Sequence, residues 1–384
     1  MNILWIYNRP LNPESGGTER ITSLVAKGLI SRGHNCLGIL VFDEHSGQML
    51  HNGKTVEDLF AFLREQKVDA VINQIAYSQW LLDAFLKAGG TRWRQEGGLI
   101  VSCLHFDPKN PSLLYMLSGK QSKTVRDWLN IAKAALLFPY YKRLQENQEG
   151  DVYNYIYDNS DRFVVLSETH IPYLHNVMRR ADYDKLEVIN NPLTFDDISD
   201  VSILPQKKKI ALVCARMSEY HKRISLVLKS WRYLQENMGI PDWTLVLLGD
   251  GPDLDRYKKY VLAHKMNNVV FEGQKSPEPY YREASILLLT SSAEGWGLTI
   301  TEGLQRGVVP VVMESCPVFR EIINDGENGF LTKDRDVKEF ADRIWRLAGD
   351  ANLLNRMQEN VLESSYRFSL DLVMDSWERI LISK

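Results

Sequence analysis

Two kinds of pattern alternate along the chain. Short apolar runs without polar alternation occur at Asn2 to Tyr7, Asn35 to Phe42, Ala70 to Gln74, Gly98 to Leu104, Asp161 to Ser167 and Leu186 to Ile189. Such runs read as strands buried on both faces. Between them, Thr18 to Ser31, Val56 to Glu65 and Gln79 to Lys87 space their apolar residues as helices do. Asn190-Asn191-Pro192 then breaks the rhythm, since Pro192 drives the residue before it away from helix. No strong periodicity returns before Gln206, and a domain boundary is expected there. The second half restarts with strands at Lys209 to Cys214, Thr244 to Leu248, Val269 to Glu272, Ile286 to Ser291 and Val308 to Met313. Helices are expected at Ile224 to Glu236 and Leu298 to Arg306, a loop from Gly273 to Tyr281 leading into a further helix, and a helical tail from Asp336 to Lys384. Strand–helix alternation of this kind predicts an α/β fold with parallel sheets covered on both faces.

One stretch organises the second half: ASILLLTSSAEGWGLTITEGLQRGVVPVVME, Ala284 to Glu314. It reads strand, polar turn, helix, strand, and in open parallel sheets ligands bind at the carboxyl ends of strands, where this turn lies. Gly295 and Gly297 allow close approach of backbone to ligand. Gly297, Leu298 and Thr299 open a helix whose free N–H groups suit a phosphate. Glu294 and Glu302 are repelled by phosphate but accept hydrogen bonds from vicinal hydroxyls. A molecule that is part sugar and part phosphate fits; for the two acids in isolation, a capping residue and an ordinary helical acid is the plainer reading. Upstream, Arg216 and Lys222 bracket the turn after the Lys209 to Cys214 strand, a geometry that suits a diphosphate, or else are cations of ordinary surface salt bridges. Gly249-Asp250-Gly251-Pro252 is a weak glycine signal, because Leu254 stands where a third glycine is needed.

The first half offers Gly16-Gly17 between the first strand and its helix, a place for close substrate approach or simply a flexible helix start. The spacing lacks the dinucleotide fingerprint. His105 follows the Gly98 to Leu104 strand at the same sheet edge, either against a sugar or as a structural histidine. An insertion, Ser112 to Glu149, repeats Val125, Trp128, Leu129, Ala132 and Leu136 at helical spacing. It carries Lys120, Lys123, Arg126, Lys133, Lys142 and Arg143, with Asp127 the only acid before Glu146. Such a basic, aromatic helix reads either as a solvated face or as peripheral contact with an anionic membrane through residues 113–143.

Composition narrows the classes. The 384 residues suffice for two domains, and 44% apolar with 25% charged residues is ordinary for a globular protein. A net charge of −3 argues against a nucleic-acid partner. Cys36, Cys103, Cys214 and Cys316 are scattered, with neither metal spacing nor a disulfide framework, which suits a reducing compartment. The start, MNILWIYNRP, lacks a signal peptide's pattern, and a cytoplasmic location is expected, with the inner membrane face as the peripheral option.

Taken together, G-G-x-E at Gly16, R-(x5)-K at Arg216, G-D-G-P at Gly249, E-G-W-G-(x4)-E at Glu294 and the loop Asn324 to Phe330 resemble the retaining GT-B glycosyltransferases of family GT4, the glycosyl transferases group 1. The resemblance is strongest from Ile210 to Leu331. It implies two Rossmann-like domains facing each other across a cleft, the first formed by residues 1–190 plus about 366–384 and the second by 191–365, with a C-terminal helix near Leu370 to Ile382 returning to the first. It implies a nucleotide-diphosphate-sugar donor, UDP-sugar rather than GDP-sugar, and transfer of a hexose or N-acetylhexosamine with retention to a saccharide or lipid-linked saccharide, with no cofactor and no obligatory metal. Carried over, Glu302 holds the ribose, Arg216, Lys222 and the Gly297–Thr299 backbone take the diphosphate, and Glu294 binds the donor sugar. Gly16 and Gly17 approach the donor phosphate, His105 lies near the reacting carbon, and Gly273 to Pro277 meets the base. Trp296, where phenylalanine is common, is expected beside the sugar. A nucleotide-sugar epimerase of the same fold and a non-catalytic carbohydrate-binding module are the alternatives.

Overall fold

A computed structural model describes residues 1–14, 16–109, 124–240 and 242–382. The chain forms two compact units: the first runs to Pro192 and regains the chain from Ser369 onward, and the second is Leu193–Phe368.

The first unit holds an eight-stranded sheet. Its strands are β1 (Asn2–Tyr7), β2 (Asn35–Phe42), β3 (Met49–His51), β4 (Lys54–Thr55), β5 (Ala70–Asn73), β6 (Leu99–Leu104), β7 (Arg162–Val165) and β8 (Leu186–Val188), in the order β4-β3-β2-β1-β5-β6-β7-β8. From β2 to β8 every pairing is parallel except at the edge, where β3 and β4 form an antiparallel hairpin absent from the sequence expectation. That hairpin is short and half exposed, so no apolar run announces it. The helix Gly17–Ser31 covers one face with Ile21, Val25 and Leu29. The last helix, Leu370–Ile382, packs on it as expected. A side chain at Gly28 would come within 2.5 Å of Met374, and Arg32 pairs with Asp375 at 2.5 Å and Glu378 at 2.6 Å.

Several local expectations needed correction. The helix expected from Val56 starts at Leu59, because Asp58 caps it by accepting from the Ala61 N–H. That expected at Gln79 to Lys87 runs Trp80–Phe85. A wider turn follows at Leu86–Gly90, where Gly89 has φ +134°, and then a further helix at Thr91–Gln95. Ile171–Met178, between two expected strands and given no element of its own, is helical. Of the insertion, residues 124–149 carry the helix Val125–Leu136 and most of Phe138–Asp158, while 112–123 lie outside the described residues.

The second unit is a six-stranded parallel sheet: β9 (Ile210–Cys214), β10 (Thr244–Leu248), β11 (Val269–Gly273), β12 (Ile286–Leu289), β13 (Val309–Glu314) and β14 (Phe330–Lys333), ordered β11-β10-β9-β12-β13-β14. Renumbered from its first strand, this is the 3-2-1-4-5-6 order of Rossmann sheets. Its central strands are buried on both faces, as their unbroken apolar runs required. The helix Leu254–Ala263 was not foreseen, its sequence being polar but for Tyr257 and a few aliphatics. The presumed linker to Gln206 ends in a 3-10 helix, Val201–Gln206, and Glu278–Glu283 is already helix where a loop was read to Tyr281. The tail divides into Val337–Gly349, Ala351–Ser365 and Leu370–Ile382. Among the described residues no helix is long and apolar enough to cross a membrane.

Candidate functional site

In the second unit β9 and β12 are neighbours although β10 and β11 lie between them in sequence. The chain reverses direction across the sheet at that point, which opens a crevice at their carboxyl ends. Arg216 follows β9, and Glu294 follows β12.

The Arg216 loop is built by backbone bonding. Ala215 N–H donates to Leu248 O at 3.0 Å, Met217 N–H to Asp250 O at 2.9 Å, and Asp253 N–H back to Met217 O at 3.0 Å. A side chain at Gly249, whose φ is +133°, would strike the Ala215 carbonyl, and one at Gly251 would come within 2.6 Å of Met217 O. These glycines therefore serve backbone against backbone, which is why the third glycine of a nucleotide loop is dispensable here. Arg216 itself is exposed at the loop tip.

Lys222 closes a short helix, Glu219–Lys222, in the region read as a turn. Arg223 then takes a left-handed conformation (φ +49°) and is buried. It donates to Thr290 O at 2.6 Å and Ser291 O at 2.8 Å and pairs with Asp334 at 2.6 Å. Thr290 Oγ1 donates to Lys222 O at 2.8 Å, and Ser292 N–H to His221 O at 2.8 Å. Residues 290–292 thus bond to the Lys222 loop instead of to the sheet, and β12 stops at Leu289 instead of the expected Ser291. The result sets Lys222 Nζ 2.5 Å from Glu294 Oε1, both side chains largely enclosed. Burial, then Lys222 and Arg216, hold His221 below its usual pKa, with Glu294 opposing them. Two cations and one acid thus share one electrostatic neighbourhood.

Gly297, at φ +105°, turns the chain into the helix Leu298–Gln305. That conformation favours glycine, and the helix's first N–H groups have no intrahelical partners. Glu302, one turn inside, is 2% exposed. Its carboxylate accepts from Thr194 Oγ1 at 3.1 Å and from Tyr281 OH at 3.0 Å. Burial, with Cys214 and Glu302 adding to it, raises the Tyr281 pKa well above normal, so it stays a donor. Thr194 and Tyr281 were missed in the sequence because nothing local links them to Glu302. Trp296, expected beside the sugar, is 2% exposed and stacks edge-on against Phe368 at 5.2 Å, so it packs in the core of the second unit.

In the first unit the same logic applies at β1 and β5, adjacent strands where the winding also reverses. Gly16 is extended (φ −178°), so its small size matters more than its flexibility: a Cβ there would lie 2.7 Å from Glu19 Oε2. Gly17 opens the helix and is exposed. Glu19, only 1% exposed, pairs with Arg9 at 2.5 Å and accepts from Tyr7 OH at 3.4 Å. Glu19 is the acid of G-G-x-E, and its place in that motif, beneath the glycines, is the sequence signal for it.

His105, after β6, donates from Nε2 to Gln74 Oε1, which also accepts from Thr22 Oγ1 at 3.2 Å. With Nε2 carrying the proton, Nδ1 is left as a lone pair, and it is buried without a partner among the described residues. Burial lowers the His105 pKa to about 4, so the ring is neutral. His105, Gln74 and Thr22 line a small cavity with Trp5, Cys103 and Asn190. The structure therefore gathers Arg216, Lys222, Glu294, Gly297–Thr299 and Glu302 at one sheet edge of the second unit, and Gly16, Gly17 and His105 at the corresponding edge of the first.

Comparison with known proteins bears on this arrangement. Residues 194–363, all within the second unit, match the model of the family described as glycosyl transferases group 1. The structure of Anabaena HepE in complex with UDP is similar over 99% of both chains, with a TM-score of 0.70 at 16% identity. The fold is GT-B. An exopolysaccharide phosphotransferase of Streptomyces coelicolor is 31% identical over 143 residues, covering 36% of this chain and 15% of its own. The poly(glycerol-phosphate) alpha-glucosyltransferase of Bacillus subtilis is 25% identical over 190 residues, 48% of this chain and 28% of its own. The chain thus spans less than a third of the length of either relative.

Proposed function

We propose that the protein is a glycosyltransferase that moves a hexose or N-acetylhexosamine from a nucleotide-diphosphate sugar, a UDP-sugar in preference to a GDP-sugar, to a saccharide or lipid-linked saccharide. One observation carries the reading: the crevice between β9 and β12 is rimmed by Arg216, the Lys222–Glu294 pair and the amino end of the Leu298–Gln305 helix. The group 1 match over residues 194–363, and relatives whose names are those of sugar-transfer enzymes, support it.

The chemistry follows from charge. The bond from the sugar's anomeric carbon to the diphosphate breaks, and its electron pair stays on the leaving oxygen. An acceptor hydroxyl oxygen forms the new bond to that carbon, and its proton passes to the departing phosphate. Arg216, Lys222 and the helix N–H groups meet charge that grows as the bond breaks, which lowers the barrier more than it favours the bound substrate. Glu294 holds the sugar hydroxyls, Glu302 the ribose, and the neutral Nδ1 of His105 accepts from a hydroxyl near the reacting carbon. Gly16 and Gly17 approach the donor phosphate, and residues 273–277 receive the base. Attack on the same face as departure, hence retention, is part of the proposal and rests on the family resemblance. So does independence from added metal, which predicts equal rates with and without a chelator.

The experiment is a thermal-shift panel of nucleotides and nucleotide sugars, then transfer assays with the donor that stabilises most. A ligand at a hundred times its Kd adds about 2.7 kcal/mol to apparent stability. A product sugar joined to an acceptor supports the proposal. No shift with any nucleotide sugar sinks it, and an altered sugar still attached to its nucleotide, formed from donor alone, replaces it with an epimerase.

A further inference from the structure

The helix Val125–Leu136 wears its apolar face outward. Val125 is 78% exposed, Trp128 59%, Leu129 66% and Leu136 82%. Their spacing, three, four and eleven residues from Val125, places them in a single stripe along the helix. The next helix also exposes Phe138, Tyr140 and Leu144. An apolar strip this exposed is costly in water and marks an interaction surface.

The flanking charges say what covers it. From residue 124 to 145 the charged residues are Arg126, Lys133, Lys142 and Arg143 against the single acid Asp127. Arg126 and Lys133 are seven residues apart, so they lie on one flank of the stripe, at the height where long cationic stems reach lipid phosphates. Asp127 is turned to another use: it closes a capping box with Thr124, whose N–H and hydroxyl both donate to it. A second copy of the chain docked on this face would set cations against cations. An anionic bilayer satisfies both the apolar stripe and its basic margin.

We propose that the helices Val125–Leu136 and Phe138–Asp158 seat the protein on an anionic phospholipid surface, with Trp128, Leu129 and Leu136 inserted at the headgroup level and Arg126, Lys133 and Arg143 against the phosphates. Seated there, the protein would meet an acceptor held in a membrane. The anchoring does not depend on the sugar-transfer reading, because it needs no nucleotide.

The test is flotation of the full chain, without donor, on phosphatidylcholine vesicles with and without phosphatidylglycerol, at low and high salt. Expected is binding to the anionic vesicles alone, weakening at least tenfold as salt rises, and lost at least tenfold in a Leu129→Ser, Leu136→Ser double variant. An Arg126→Glu, Lys133→Glu variant, which leaves every apolar residue in place, should lose binding to a similar degree. Melting curves that match the parent confirm that these surface changes leave the fold intact. Absence of binding at low salt overturns the proposal, as does binding that both variants retain. A concentration-dependent dimer abolished by the serine variant, with no vesicle binding, assigns the stripe to a second copy and overturns it equally.

Discussion

Lys222 Nζ lies 2.5 Å from Glu294 Oε1, so the cation proposed for the donor phosphate and the acid proposed for the donor sugar neutralise each other across the crevice. A diphosphate sugar would enter between them, oxygens to the lysine and hydroxyls to the glutamate, and each partner would exchange one ionic contact for another. Neither side chain then has to be desolvated afresh.

The first prediction concerns that pair. Glu294→Gln keeps the shape and removes the charge. Transfer should fall by two to three decades, about 3 kcal/mol of transition-state stabilisation, with a melting curve close to the parent's. Lys222→Gln should show the same loss in kcat/KM and a weaker thermal response to nucleoside diphosphate. Initial rates and melts on both variants check this; near-parental turnover by Glu294→Gln would remove the acid from the mechanism.

The second concerns Glu302. Its carboxylate is buried and held by the hydroxyls of Tyr281 and Thr194. Tyr281→Phe deletes one donor and leaves the charge partly unsatisfied, at a cost of about 1–3 kcal/mol. Expected are a lower melting temperature and weaker nucleotide binding together, since the same carboxylate serves both. Calorimetric titration with UDP, alongside denaturant melts, separates the two; unchanged nucleotide affinity in a destabilised Tyr281→Phe protein would show that Glu302 is purely structural.

The third concerns Gly249. Its φ of +133° and the closeness of the Ala215 carbonyl leave no room for a side chain. Gly249→Ala should destabilise by more than about 1 kcal/mol and should also displace the Arg216 loop, which depends on bonds from the same segment. A fall in donor affinity beyond that of Arg216→Ala alone would show that the loop moves as a unit; stability equal to the parent's would mean that the backbone yields without cost.

Legibility in the sequence followed the physics of burial. The strands of the second sheet were readable because a parallel strand covered on both faces must be almost wholly apolar, as β9, β12 and all of β10 after Thr244 are. Edge elements escaped for the converse reason: β3 and β4 are half exposed, and Leu254–Ala263 carries little beyond Tyr257 on its inner face. Among the candidate residues, Arg216, Lys222, Glu294 and Glu302 stood out because charge beside glycine turns at strand ends is unusual. Their supports did not. Arg223, Thr290, Tyr281 and Thr194 are tens of residues from what they hold, and spacing encodes no such pairing. Trp296 misled for a related reason: a residue between two glycines in a polar loop reads as exposed, whereas Phe368 folds back to cover it.

The last prediction is pH-dependent. Burial lowers both His105 and His170 from about 6.5 to about 4 in the folded protein. Between those values the unfolded chain binds a proton at each site that the folded chain does not, so acid favours unfolding. Stability should be level above pH 6.5 and should decline as pH falls toward 4, by up to roughly 3 kcal/mol for each histidine. Gln74→Glu should shift this for His105 alone, because a carboxylate accepting from Nε2 favours the imidazolium and raises its pKa. Imidazole nitrogen chemical shifts followed against pH supply the test. In the parent, His105 should remain the Nε2–H tautomer down to about pH 5; in Gln74→Glu it should take up its proton at a higher pH. A parent ring protonated on Nδ1 at pH 7 would show that Gln74 does not orient it, and would withdraw the free lone pair on which its proposed contact with the sugar depends.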